Sequence, residues 1–255
     1  IRYFKSSSKK GDVKSMMKYA EQIYSSDEKN TPELKEEALR LYKKAADKGC
    51  IESLYHYCSL LPRNNEYVKF LHIAACNGIA EAMFDYAEIL QIGDLVRSDL
   101  KEANKYLKMA IDKGHTNSMH RYGYNLHKGR GVSVNYEEAI KYYKMAIDKG
   151  NSIAMNNYAC MLANGEGVPV NYEEAIKYYK MAIDTGESSA MNNYACMLVN
   201  GEGVPVNYEE AIKYFKKGIE KGHSGAMFNY AIMLKNGKGI EVNYEEAIKY
   251  FKMAI

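Results

Sequence analysis

Paired carboxylates, glycine pairs, histidines and cysteines are the residues of this 255-residue chain whose spacing could do chemistry. Adjacent glutamates recur at Glu137-Glu138, Glu173-Glu174, Glu209-Glu210 and Glu245-Glu246. Two carboxylates divide general-acid and general-base work only where their surroundings push their pKa values apart. Four copies in the first turn of surface helices instead cap the helix and complement its dipole. Glycine pairs at Gly129 and Gly131, Gly165 and Gly167, Gly201 and Gly203, and Gly237 and Gly239 suggest a phosphate cradle. A dinucleotide loop needs a strand before it and a third glycine, and here a helical pattern precedes and no third glycine follows. Six histidines occur, at 56, 72, 115, 120, 127 and 223. His120 and His127 lie seven residues apart on one helical side, but a zinc site wants a third or fourth ligand, so both read as polar lining. No nucleophile elbow or Cys/His motif appears. The chain is therefore expected to carry no catalytic residue, no metal and no cofactor.

Five cysteines make an odd number. Cys160 and Cys196 hold the same place in neighbouring units, on helices whose axes pack about 8–10 Å apart. Disulfide Cα atoms sit about 4.4–6.8 Å apart, so a bridge there does not fit. Cys50 and Cys58, eight residues apart, form a conceivable but unrepeated pair. Reduced thiols in a cytoplasmic setting are the expectation. Both ends fall inside the repeat pattern, so a fragment of a longer protein is expected and a secretory route stays open. Net charge is +3, with 35 basic and 32 acidic residues well mixed. That lacks the basic stripe a nucleic-acid partner needs. No apolar run approaches the roughly 20 residues that span a bilayer.

What positions these residues is a repeat. Asn135-Tyr-Glu-Glu-Ala-Ile-Lys-Tyr-Tyr-Lys-Met-Ala-Ile-Asp-Lys-Gly150 returns as Asn171 to Gly186 with one change, and more altered as Asn207 to Gly222 and Asn243 to Ile255. The interval is 36 residues, a period that marks stacked units in which each packs on its neighbours. Glycines at 11, 49, 78, 114, 150, 186 and 222 close the units. They divide one continuous domain into the end of a truncated unit, 1–11, then units 12–49, 50–78 (short and degenerate), 79–114, 115–150, 151–186, 187–222 and 223–255. In the unit 151–186, Ala154, Met155, Tyr158, Ala159 and Leu162 recur at helical spacing and predict a buried face over Ser152 to Asn164. Gly165 ends that helix. Asn171 opens the second helix, with Glu174 expected to complete a capping box. Ala175, Tyr178, Tyr179 and Ala182 form its buried stripe. Thr31-Pro32 supplies a cap and a first-turn proline in the unit 12–49. Each unit is an antiparallel helical hairpin, tyrosines filling the space between hairpins.

Gly165, Gly167 and Val168 in the loop, followed by Ala175, Tyr178, Tyr179, Ala182 and Gly186, resemble the Sel1-like repeat, a relative of the tetratricopeptide repeat with a longer inter-helix loop. Tyr158 and Ala159 stand where that family prefers Leu-Gly, and the unit 50–78 lacks the glycine loop. The resemblance implies an all-α, right-handed α/α superhelical solenoid of tetratricopeptide-like hairpins. It also implies a non-catalytic scaffold or adaptor for a protein or peptide, with no nucleic acid, no membrane insertion and an oligomeric state left open. The alternative is a regulatory or substrate-positioning repeat domain of a larger enzyme such as a protein kinase. In the related family the first helices line a concave groove, and the face opposite the buried one varies between copied units. Its residues here are Phe84 and Glu88, then Asn117, His120, Tyr124 and His127, then Asn156 with Cys160, Asn192 with Cys196, and Phe228 with Ile232. Asparagines there could clamp an extended backbone, and the aromatic rings could anchor side chains.

Overall fold

The structure is a computed structural model that describes residues 2–24 and 31–255. Part of the inter-helix loop expected in the unit 12–49, residues 25–30, lies outside the described residues. Among those described, fifteen helices and no strand are found. In chain order they are α1 (Arg2–Lys9), α2 (Val13–Tyr24), α3 (Pro32–Asp47), α4 (Ile51–Leu60), α5 (Asn65–Cys76), α6 (Ala80–Ile92), α7 (Leu100–Asp112) and α8 (Thr116–Lys128), followed by α9 (Tyr136–Ile147), α10 (Ser152–Asn164), α11 (Tyr172–Asp184), α12 (Ser188–Asn200), α13 (Tyr208–Glu220), α14 (Ser224–Asn236) and α15 (Tyr244–Met253). The chain divides into two compact units, one of residues 1–118 with 130–133, the other of residues 119–129 with 134–255. In the first, each helix from α1 to α7 packs on the next. In the second, α9 to α15 do the same, and α12 also touches α10 and α14. This is an all-helical solenoid.

The helix ends follow the local chemistry. The Asn171 side chain accepts from Glu174 N–H at 3.0 Å, and Asn135, Asn207 and Asn243 repeat that bond. The capping box itself is altered. The backbone N–H of Asn171 donates to Leu162 O at 2.9 Å, tying the start of α11 to α10. With that donor spent, the Glu174 carboxylate takes the Asn171 side-chain amide instead, at 3.4 Å. Thr31 caps α3 ahead of Pro32, as expected. All five cysteines are free thiols.

Fully buried alanines, including Ala154, Ala159, Ala175 and Ala182, let helix backbones approach closely. Tyrosines fill what remains. The Tyr158 ring meets Tyr178 edge-on at 5.0 Å, and Tyr194 meets Tyr214, and Tyr230 meets Tyr250, both at 5.1 Å. A lysine from the preceding second helix lies over each first-helix ring: Lys144 over Tyr158, Lys180 over Tyr194, Lys216 over Tyr230. The first unit does likewise with Lys5 over Tyr19 and Lys43 over Tyr57.

Two kinds of glycine must be separated. Gly150 closes α9 at φ +82° with nothing within 4 Å of an added Cβ. Gly203 has φ +71°, and a Cβ there would also overlap the Cβ of Tyr172, the first residue of α11. Gly150→Ala is therefore expected to cost about 1–2 kcal/mol, the backbone term alone. Gly203→Ala adds a clash with a helix start and is expected to cost roughly 2–3 kcal/mol more, an overpacking term. Urea midpoints of the two variants measure the difference; equal shifts would contradict the close approach at Gly203.

Candidate partner-binding face

A hydrogen-bonded row of polar side chains runs across the first helices of the second unit. Asn157 Nδ2 on α10 donates to His120 Nε2 on α8 at 3.0 Å. Asn193 Nδ2 on α12 donates to Asn156 Oδ1 on α10 at 3.0 Å. Asn229 Nδ2 on α14 donates to Asn192 Oδ1 on α12 at 2.9 Å. Within each helix the neighbours are joined as well, Asn156 to Asn157 at 3.3 Å and Asn192 to Asn193 at 3.2 Å. The rule is simple: the sixth residue after one closing glycine bonds the seventh after the next. The first unit obeys it once, where Tyr55 OH donates to Asp85 Oδ2 at 2.9 Å across the short unit.

Sulfur joins the row. Cys160 Sγ accepts from Asn193 Nδ2 at 3.4 Å and from Tyr179 OH at 3.2 Å. Cys196 Sγ accepts from Asn229 Nδ2 at 3.3 Å. Burial pushes the Cys196 thiol up to about 11 and raises that of Cys160. Both are therefore neutral packing and acceptor groups at ordinary pH.

The expected groove residues separate into two sets. His120, His127 and Asn156 were placed on an open face, and they are 9%, 7% and 6% exposed. They face the neighbouring hairpin rather than solvent: His120 and Asn156 because the sixth position lies where adjacent first helices meet, His127 because the next loop and the second helix close over it. His127 Nε2 contacts the Glu166 carboxylate of the next loop, and its Nδ1 lies 3.4 Å from Tyr143 OH. Tyr124, Cys160, Asn192, Cys196 and Ile232 are half-buried, and Phe228 is 49% exposed beside Phe251. In the first unit, Phe84 is half-buried against His115, Glu88 is half-buried on α6, and Asn117 is exposed at the start of α8. Sequence reasoning missed Asn157, Asn193 and Asn229, although all three sit at one register position. It also missed Glu166, which stands between the loop glycines Gly165 and Gly167.

Beside the end of this row lies a cavity of about 220 Å³, lined by Cys196, Val199, Phe215, Asn229, Ile232 and Met233 among others. No group of three or more His, Cys, Asp or Glu among the described residues is placed to hold a metal. No described helix is long and apolar enough to cross a membrane.

Two outcomes follow from the row. Asn193→Ala removes the donor to the buried Asn156 Oδ1 and is expected to cost about 1–3 kcal/mol in urea unfolding. His120 supplies a pH signature. Burial first, and the Arg121 charge second, push its imidazole down from the usual 6.5 to about 4. Its other close neighbours are uncharged: Asn157 donates to it and the Tyr143 ring stacks on it at 6.1 Å. The folded state thus disfavours the proton. Its contribution is complete above the unfolded value, 6.5, and is lost as pH falls from there towards about 4. The loss is on the order of 3 kcal/mol. Unfolding wild type and His120→Asn across that range should show the variant's relative stability improving as pH drops. Parallel curves would contradict it.

Among known protein families, the chain matches the Sel1 repeat at residues 13–50, 80–115, 116–151, 152–186, 188–223 and 224–255. The skipped stretch is the short hairpin of α4 and α5. No curated protein sequence gives a significant match. Among solved structures, a Sel1 repeat protein from Oxalobacter formigenes is similar at TM-score 0.86 and 22% identity, over 94% of this chain and 96% of that one. A protective antigen of uropathogenic Escherichia coli with the same repeat fold is similar at TM-score 0.81 and 21% identity. That match covers 99% of this chain, which spans only 55% of the antigen. Yeast Tom70 is similar at TM-score 0.52 and 16% identity, over 99% of this chain and 57% of that one. With most of its length matched in register, the chain belongs to the Sel1 repeat family.

Proposed function

We propose that the face formed by α10, α12 and α14 holds an extended segment of a partner protein. Sel1 repeat proteins generally mediate protein–protein interaction, and the family is generally a non-catalytic scaffold. The observation that carries the reading is the meeting of two features at α12 and α14. A cavity of about 220 Å³ has apolar walls at Val199, Phe215, Ile232 and Met233, and Asn229, the last asparagine of the row, shares its lining. Apolar space beside fixed amides is the arrangement that seats one side chain of a peptide while its backbone is read alongside. The hydrogen bonds of the row matter for affinity. They hold Asn192 and Asn229 in place before a partner arrives, so little side-chain freedom is lost on binding. The second N–H of the Asn192 amide is not used within the row and is the natural donor to a peptide carbonyl.

Ile232→Arg places a charge in the cavity wall, and Phe228→Ala removes the exposed α14 ring that packs against Phe251. Val170→Ser changes an exposed loop residue that does not line the cavity. With a protein captured by the wild-type chain, Ile232→Arg is expected to weaken binding at least tenfold and Phe228→Ala several-fold, by loss of a buried anchor. Val170→Ser should leave binding unchanged. Titration of the purified pair by calorimetry decides it. Binding that survives Ile232→Arg, or that depends on Val170, sinks the assignment.

A further inference from the structure

The chain repeats itself so closely that a reactive departure from its own pattern stands out. Six residues before six of the seven closing glycines stands a lysine: Lys5, Lys43, Lys108, Lys144, Lys180 and Lys216. Four residues after that lysine, an acid follows in five of the units: Asp47, Asp112, Asp148, Asp184 and Glu220. In the short hairpin of α4 and α5 the same two places hold His72 and Cys76. An ordinary cation and carboxylate, one helical turn apart, are replaced by a base and a thiol.

The geometry connects them. Cys76 Sγ is exposed and lies 3.4 Å from His72 Nε2. Tyr106 OH lies 2.9 Å from the same Nε2 and 3.7 Å from the sulfur. Burial, with the Cys76 sulfur adding to it, holds the Tyr106 phenol above its usual range, so this hydroxyl stays a donor. Tyr86 faces the imidazole at 4.8 Å and Tyr106 edge-on at 5.0 Å, fixing the ring's plane. A thiol proton thus has an acceptor within reach directly or through the phenol. The other cysteines are differently placed. Cys58 is buried and pushed up to about 12, Cys160 and Cys196 are raised by burial, and Cys50 directs its S–H towards Glu52 at 3.6 Å.

We propose that Cys76 is a site of reversible S-thiolation, where a low-molecular-weight disulfide exchanges onto the chain with His72 moving the proton. The thiol proton passes to His72 Nε2, and the resulting thiolate attacks one sulfur of the disulfide. A new S–S bond forms at Cys76 while the bond of the incoming disulfide breaks. The departing thiolate leaves as a free thiol, carrying the proton from Nε2. The disulfide is the oxidant, and no other is needed. His72 acts first as base and then as acid. The adduct would sit on the ring that joins α5 to α6 and α7, so that a change of redox state acts at a helix junction.

The test uses oxidised glutathione on the folded chain at neutral pH, with adducts located by peptide mass mapping over time. Cys76 is expected to carry the first adduct. It should form about tenfold faster in the folded chain than in the same chain unfolded in urea, an order that exposure alone cannot produce. His72→Phe keeps an aromatic ring beside Tyr86 and should abolish that advantage at neutral pH, the two rates converging in alkali where hydroxide removes the proton. The wild-type ratio stands even if the variant folds poorly. A folded-state rate no higher than the unfolded one, or a first adduct on Cys50, overturns the proposal.

Discussion

The large first-helix tyrosines of the last three hairpins are held from two sides, by a tyrosine of their own second helix and by a lysine of the hairpin before. Tyr158 between Tyr178 and Lys144 is one example, and Tyr194 and Tyr230 repeat it. The contact spans three helices, so it cannot form inside a single hairpin. A lone pair of helices about 13 residues long leaves one apolar face open, and only a neighbour closes it. Stability in such an array is a sum over neighbours rather than the property of a centre. The alanines and the loop glycines serve this contact, the first by bringing backbones close and the second by letting each loop rest on the start of an earlier second helix.

Once that register is set, the polar row has no freedom left. Adjacent first helices meet at the sixth and seventh positions after their closing glycines, whatever residues stand there. In the second unit those residues are amides apart from His120 at the row's start, and amides both donate and accept, so the bonds run on from helix to helix. In the first unit they are Tyr55 and Asp85, a single donor and a single acceptor, and the bond ends where it begins. Burial also explains why the row is rigid: an amide removed from water costs energy unless it is bonded.

Departures from the pattern carry the chemistry that the pattern cannot. His127 with Glu166, and His72 with Cys76 and Tyr106, each occur once, at places where the other hairpins carry unremarkable residues. Copied residues answer to a contact that every hairpin must make. A residue that appears once answers to something local.

From the residues alone, the hairpins, their closing glycines, the helix over Ser152–Asn164, the caps at Thr31 and Asn171 and the family itself are legible, because all depend on neighbours within one or two turns or on a period of 36. The depth of the groove-side positions was not legible. Helical spacing separates a buried side from an open one, but it is blind to the neighbouring hairpin packed against the open side, so His120, His127 and Asn156 were placed on an open face and are buried. The partner of Asn193 lies 37 residues away and that of His127 lies 39 away, distances no local pattern reaches. Period and propensity determined what each hairpin is; only the stacking of hairpins decided which polar groups meet, since that depends on how closely two backbones approach in space.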